Sequence, residues 1–210
     1  VARLLIVTAV PAEGDALRLH SGPWVTVVDG GVGTARAAAS TATAIARADE
    51  PFRAVLSVGI AGGFAPAAHP VDVVIGQASI AADLGAETPD GFLDLGQLGF
   101  GSSTVDSDVD LVARLRAALP AAVVGDVLTV STVTGSAERA AVLRGRHPAA
   151  VAEAMEGFGV ATAAAQAGLP FAEVRTISNA VGPRDRAAWR IADALAALQR
   201  VGAALASLGP

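Results

Sequence analysis

Along the whole 210-residue chain, short β-branched or leucine-rich runs alternate with alanine-rich stretches. Short apolar runs fit strands buried on both faces, and alanine-rich stretches fit helices lying over them, so the alternation predicts an α/β fold. Leu4–Thr8, Trp24–Val28, Ala54–Val58, Val71–Ala81, Val123–Val130, Val151–Ala154 and Phe171–Ile177 read as strands, with Val71–Ala81 as one strand or two. Helices are expected over Thr34–Ala48, from Asp106, Ser107 or Asp108 towards Leu119, over Ser136–Leu143 and Glu156–Ala167, and from Asp185 onward. Gly85–Ser103 breaks every period with glycine, proline and acidic residues and reads as a long loop, functional or mobile. With no internal repeat and no linker, one domain over residues 1–210 is expected.

Counting removes several chemistries. The chain has no cysteine, tyrosine or lysine, and all 15 basic residues are arginine. This rules out disulfides, thiolate metal sites, a cysteine nucleophile, a Schiff-base lysine and a P-loop lysine. His20, His69 and His147 are far apart and not in a zinc-type spacing, so no metal is expected. A net charge of -5 without a basic face leaves no electrostatic footprint for nucleic acid. The longest uncharged window, Ala54–Val71, is interrupted by Gly59, Gly62, Gly63, Pro66 and Pro70, so no membrane partner is expected. Val1–Ala12 has the look of a signal-peptide apolar run but reads as a first strand, because Glu13 just beyond it has a chemical use; the cytoplasm is the expected compartment.

Open α/β sheets bind ligands beyond the carboxyl ends of their strands, so polar residues just after strands are the ones to inspect. Four places qualify: Glu13, the segment Gly59–Gly63, Ala154–Gly157, and Ser178–Asn179. The glycine segment is either a tight turn or a place where backbone approaches a flat ligand or an anion closely. Neither it nor Gly30–Gly33 spells G-x-G-x-x-G, which disfavours a nicotinamide enzyme. Glu156 taken alone reads equally as a carboxylate at a helix N-terminus, and Glu13 alone as a surface residue.

Taken together, the motifs resemble the purine nucleoside phosphorylase and nucleosidase superfamily, in the branch that splits methylthioadenosine and S-adenosylhomocysteine. The resemblance runs through Ala9–Glu13, Gly31–Ala35, Ser57–Gly63, Asp72–Gly76 and Glu153–Gly157, and the Met155-Glu156 pair is its most specific part. It implies a three-layer α/β/α fold with a central mixed, twisted sheet. Val174–Asn179, Val181–Arg190 and Ala152–Val160 are similar to the futalosine hydrolase family, which removes hypoxanthine from futalosine in a menaquinone pathway. The adenine-specific relatives carry aspartate where this chain has Asn179. Hypoxanthine presents an O6 acceptor where adenine has an amine, so an amide donates where a carboxylate repels.

The resemblance also implies site roles. Glu13 would activate the attacking water, Glu156 would accept from the ribose hydroxyls with Met155 packed on the sugar, and Asn179 would hold the purine as it leaves. Gly62, Val133 and Thr134 fall where the relatives contact the purine. Asp185 is the nearest acidic replacement for the missing aspartate as proton donor, or it caps a helix. Trp189 covers the substrate or anchors the terminal helix, and Arg184, Arg186 or Arg190 meets a substrate carboxylate or is solvated helix charge. No cofactor is implied, the partner is a small purine nucleoside, and a homo-oligomer, most commonly a dimer, is expected.

Three other readings stand beside this one. A phosphorylase would need convergent arginines, for which Arg18 and Arg36 are the early-loop candidates, but Glu13 near the sugar would repel phosphate. Asn179 argues against an adenine-type nucleosidase. A silent nucleoside sensor would have no need of both Glu13 and Glu156.

Overall fold

Leu4 and Ile6 of the first strand point to one side of the sheet and Leu5 and Val7 to the other, the period-two alternation of a strand buried on both faces. The computed structural model describes residues 3–20 and 22–207; Val1 and Ala2 of the N-terminal run lie outside them. Within that range the strands are β1 (Arg3–Thr8), β2 (Val25–Asp29), β3 (Phe52–Gly63), β4 (Val73–Ala81), β5 (Gly85–Thr88), β6 (Gly91–Asp94), β7 (Thr104–Asp106), β8 (Val123–Thr129), β9 (Ala150–Ala154) and β10 (Phe171–Ala180). The helices are α1 (Pro11–Arg18), α2 (Thr34–Ala46), α3 (Val109–Ala118), α4 (Ala137–Arg146), α5 (Gly157–Gln166) and α6 (Ile191–Ser207).

The main sheet is mixed, as expected, and β3 is its hub. It pairs in parallel with β1 and β10, and antiparallel with β9 through Gly62 and Gly63. β10 pairs with β4, β4 with β8, and β8 with β9, so β3, β10, β4, β8 and β9 close into a ring. β1 and β2 extend the sheet beyond β3, and β7 pairs with β4. Leu17, Leu111, Leu115, Leu198, Val201 and Leu205 from α1, α3 and α6 pack on one face. Ala37, Val160, Ala161 and Ala164 from α2 and α5 pack on the other. Alanine on α2 and α5 allows close approach: a Cβ on Gly159 would run into the carbonyl of Thr34. No helix among the described residues is long and apolar enough to cross a membrane.

Several elements differ from expectation. Gly59–Gly63 is not a loop: β3 continues through it, because its backbone pairs with Arg175–Ala180 of β10. Gly85–Ser103 contains a hairpin, β5 and β6, with register Thr88↔Gly91 around Pro89-Asp90 and the Thr88 hydroxyl donating to the Gly91 carbonyl at 2.7 Å. Helix α1, which the apolar pattern did not announce, starts at Pro11, where a missing N–H costs nothing. The terminal helix does not start at Asp185; a 3-10 turn over Arg186–Ala188 comes first and α6 begins at Ile191. Of the three cap candidates for α3, Asp108 is the cap, accepting from the Leu111 N–H at 2.9 Å.

Candidate active site

Strand β1 ends at Thr8, and Ala9-Val10 turns straight into α1, which carries Glu13 back over the strand end. The carboxylate is buried, 2% exposed, and held by backbone alone: Oε2 accepts from the N–H groups of Ala9 (2.9 Å) and Val10 (3.2 Å), and Oε1 from Ile60 (2.8 Å). The glycine at position 59 makes room for it. A Cβ there would sit 2.7 Å from Glu13 Oε1 and 3.0 Å from Arg175 Nη1.

Glu156 lies at the junction of β9 and α5. Its Oε1 accepts from the Gly33 N–H at 3.1 Å and its Oε2 from Met155 N–H at 3.3 Å, while the Thr34 hydroxyl donates to the Met155 carbonyl at 3.1 Å. The turn before α2 that supplies these donors needs Gly31 (φ 88) and Gly33 (φ 93), conformations that side chains with a Cβ rarely adopt. Arg175, 1% exposed, lies beneath both glutamates. It donates from Nε to Glu173 at 2.8 Å and from Nη2 to the Ser57 hydroxyl at 2.9 Å, and its Nη1 is 3.6 Å from Glu156 Oε2. Burial opposes its charge, but the carboxylates of Glu173, Glu156 and Glu13 outweigh burial and hold the guanidinium above its ordinary pKa.

A third part of the site is a row across three strands. Asn179 of β10 pairs with Gly62 of β3, and Gly62 pairs with Glu153 of β9. Val181 packs over Gly62, where a Cβ would meet its Cγ2 at 2.8 Å and Asn179 Nδ2 at 3.4 Å. The Asn179 carbonyl accepts from the Ser178 hydroxyl (2.8 Å), and its amide donates to the Ala180 carbonyl (2.9 Å), leaving one amide hydrogen for a ligand. Glu153 is buried, with both its oxygens accepting from Thr134: Oε1 from the N–H at 2.8 Å, Oε2 from the hydroxyl. Burial pushes its carboxyl above the ordinary range, opposed by the Thr134 bonds.

One cavity of about 270 Å³ joins these groups. Glu13, Gly62, Val133, Met155, Glu156, Asn179 and Trp189 line it, with Glu153 and Ile60. Thr134 lines an adjoining recess of about 90 Å³. Asp185 lines neither; it is exposed and caps the 3-10 turn, accepting from the Ala187 N–H at 3.1 Å. Arg184 and Arg186 lie 5.4 and 5.7 Å from the Trp189 ring centre, and Arg190 pairs with Asp193 at 2.7 Å. Arg18, a candidate for phosphate, is held by Asp15 and Asp29 at 3.0 and 2.9 Å and does not line the cavity.

In the sequence, Glu153 and Arg175 stand out only as parts of the motifs Glu153–Gly157 and Val174–Asn179. Arg175 carried a usable signal, since with Glu173 it places two charges in the middle of a strand that reads as buried. Glu153 is recognisable only once the register of β9 against β3 is known.

The phosphorylase superfamily profile matches residues 6–209. The chain belongs to that superfamily. Within it the futalosine hydrolase of Streptomyces coelicolor is 52% identical over 216 residues, covering 93% of this chain and 91% of that protein. The futalosine hydrolase of Acidothermus cellulolyticus is 44% identical, covering 96% of this chain and 89% of that protein. This superfamily member is therefore one of the futalosine hydrolase family. Its fold is shared with the 5'-methylthioadenosine/S-adenosylhomocysteine nucleosidase of Neisseria meningitidis, solved in complex with methylthio-immucillin-A: the TM-score is 0.84 at 21% identity, covering 99% of this chain and 100% of that one.

Proposed function

We propose that this protein hydrolyses the N-ribosidic bond of futalosine, releasing hypoxanthine and dehypoxanthine futalosine for menaquinone biosynthesis. The observation that carries the reading is the joining of Glu13, Glu156 and the amide of Asn179 in one cavity, in a chain 52% identical to a futalosine hydrolase. Cleavage develops positive charge on the ribose and negative charge on the base, so the site needs acceptors at the sugar and a donor at the purine. Glu156, fixed by Gly33 and Met155, accepts from the ribose hydroxyls with Met155 against the sugar. Glu13 takes the proton of the attacking water, and Asn179 donates to O6 of the departing base. Gly62, Val133 and Thr134 line the purine end, and Trp189 and Ile191 line the same cavity.

A groove of about 650 Å³ shares Val32 and Met155 with the cavity and supports a nucleoside with a long 5′ substituent. Arg18 is engaged by two aspartates, and Arg36 lines the outer groove but not the cavity that holds Glu13, which speaks for water over phosphate as nucleophile. The active form in this reading is a cytoplasmic homodimer, consistent with the exposed apolar side chains of Val32, Leu84 and Phe100. The test is a phosphate-free assay with futalosine, inosine and methylthioadenosine side by side, following free base by chromatography. Hypoxanthine from futalosine with little adenine from methylthioadenosine is the expected result. Adenine release, or no release until phosphate is added, would overturn it.

A further inference from the structure

We propose that Glu153 is the acid that protonates the departing purine, an inference that rests on the nucleosidase reading above. The observation is the cross-strand row Asn179, Gly62, Glu153. Paired residues on neighbouring strands are about 5 Å apart and point to one face, so the amide and the carboxyl stand two strands apart on the same face, within side-chain reach of the adjacent O6 and N7 of one purine edge. Both side chains line the cavity that also holds Glu13 and Glu156.

The other carboxyl groups are committed elsewhere. Glu13 is held by three backbone N–H groups at the end of β1, and Glu156 by Gly33, Met155 and Arg175. Asp185 is exposed and caps a turn. Glu153 is 6% exposed and has no ion-pair partner among the described residues. Arg139 of α4 and Asp83, in the turn after β4, are the charged groups that face it, with opposite effects. Burial dominates and lets the carboxyl keep its proton at pH values where an exposed glutamate has lost it.

Thr134 suits both states of such an acid. Its hydroxyl can rotate to accept from the protonated carboxyl or to donate to the carboxylate, while its N–H donates throughout. In the reaction the C1′–N9 bond breaks and its electron pair passes to the purine. The Glu153 proton moves to N7, so neutral hypoxanthine leaves, and the water oxygen bonds to C1′ as its proton moves to Glu13. The cycle ends with Glu153 ionised and Glu13 protonated, and solvent returns one proton to the first and removes one from the second.

The experiment compares the parent with Glu153→Gln, which keeps size and loses the acid. Turnover of inosine is expected to fall at least about 100-fold with KM within about threefold. On 7-methylinosine, whose imidazole ring is already cationic, the variant is expected to stay within about fivefold of the parent, since no proton is needed there. The parent's kcat on futalosine should fall as pH rises through the Glu153 pKa, a limb absent from Glu153→Gln. Thr134→Val, which removes one donor to the carboxylate, should move that limb to higher pH. Inosine turnover kept in Glu153→Gln, equal loss on both inosines, or an alkaline limb unchanged in both variants would overturn the proposal. If the parent cleaves inosine but leaves futalosine intact, the futalosine reading fails, and Glu153 is still judged on the inosine pair and on inosine's own pH profile.

Discussion

A carboxylate that serves as a base must be fixed in place and still be able to take a proton. Glu13 meets this through three backbone N–H bonds rather than through a hydrogen-bonded arginine. Glu13→Gln would set an amide NH2 against those N–H donors and remove the base. Turnover should fall about 10²- to 10⁴-fold while purine-nucleoside binding stays within a fewfold, checked by steady-state kinetics beside calorimetric binding. Asn179 is a question of selectivity. Asn179→Asp puts an acceptor towards O6, so the ratio of kcat/KM for a hypoxanthine nucleoside over an adenine one should drop at least about tenfold. An unchanged ratio would take Asn179 out of base recognition. The residue types at both positions are legible in the sequence; their partners are not, because Gly33 and Glu156, for one, touch across 123 positions.

At the scale of elements, β3 decides the site. Its first half is an apolar core strand and its second half a glycine-rich one that admits charged side chains from α1 and β10. Gly59→Ala would push a methyl into Glu13 and Arg175, costing about 1–3 kcal/mol and lowering kcat at least about tenfold, measured by denaturant melts and turnover. Gly145→Ala is the matched control, since a Cβ at that position on α4 meets nothing within 4 Å; it should be neutral or stabilising by up to about 1 kcal/mol. Strand β3 also shows why the glycine segment reads as a turn in the sequence. Glycine is a poor strand former by local preference, and only pairing with β10 on one side and β9 on the other makes it strand.

For the whole molecule, α6 ties the two catalytic edges together. Gly202 on α6 approaches the Leu17 backbone of α1, and the Ala194 carbonyl accepts from Thr176 of β10 at 3.0 Å. Leu198→Ala on this helix removes a fully buried side chain from the cluster around Leu17 and Val201 and should cost about 2–5 kcal/mol. Because Leu198 does not line the cavity, KM and kcat per folded molecule should remain near those of the parent, with the loss visible in denaturant midpoint alone.

The sequence by itself determined the α/β class, most strand positions and the helix from Ser136, because periodicity acts over a few residues, and its motifs carry the family resemblance that singles out Glu13, Met155, Glu156 and Asn179. Tertiary structure alone decided that the sheet closes into a ring, that Gly59–Gly63 is strand, that Asp185 lies outside the cavity, and that Arg175 sits beneath the glutamates. It alone set Glu153 across Gly62 from Asn179. These depend on the register between strands distant in sequence, which is fixed by burying both faces of the sheet at once and leaves no local trace.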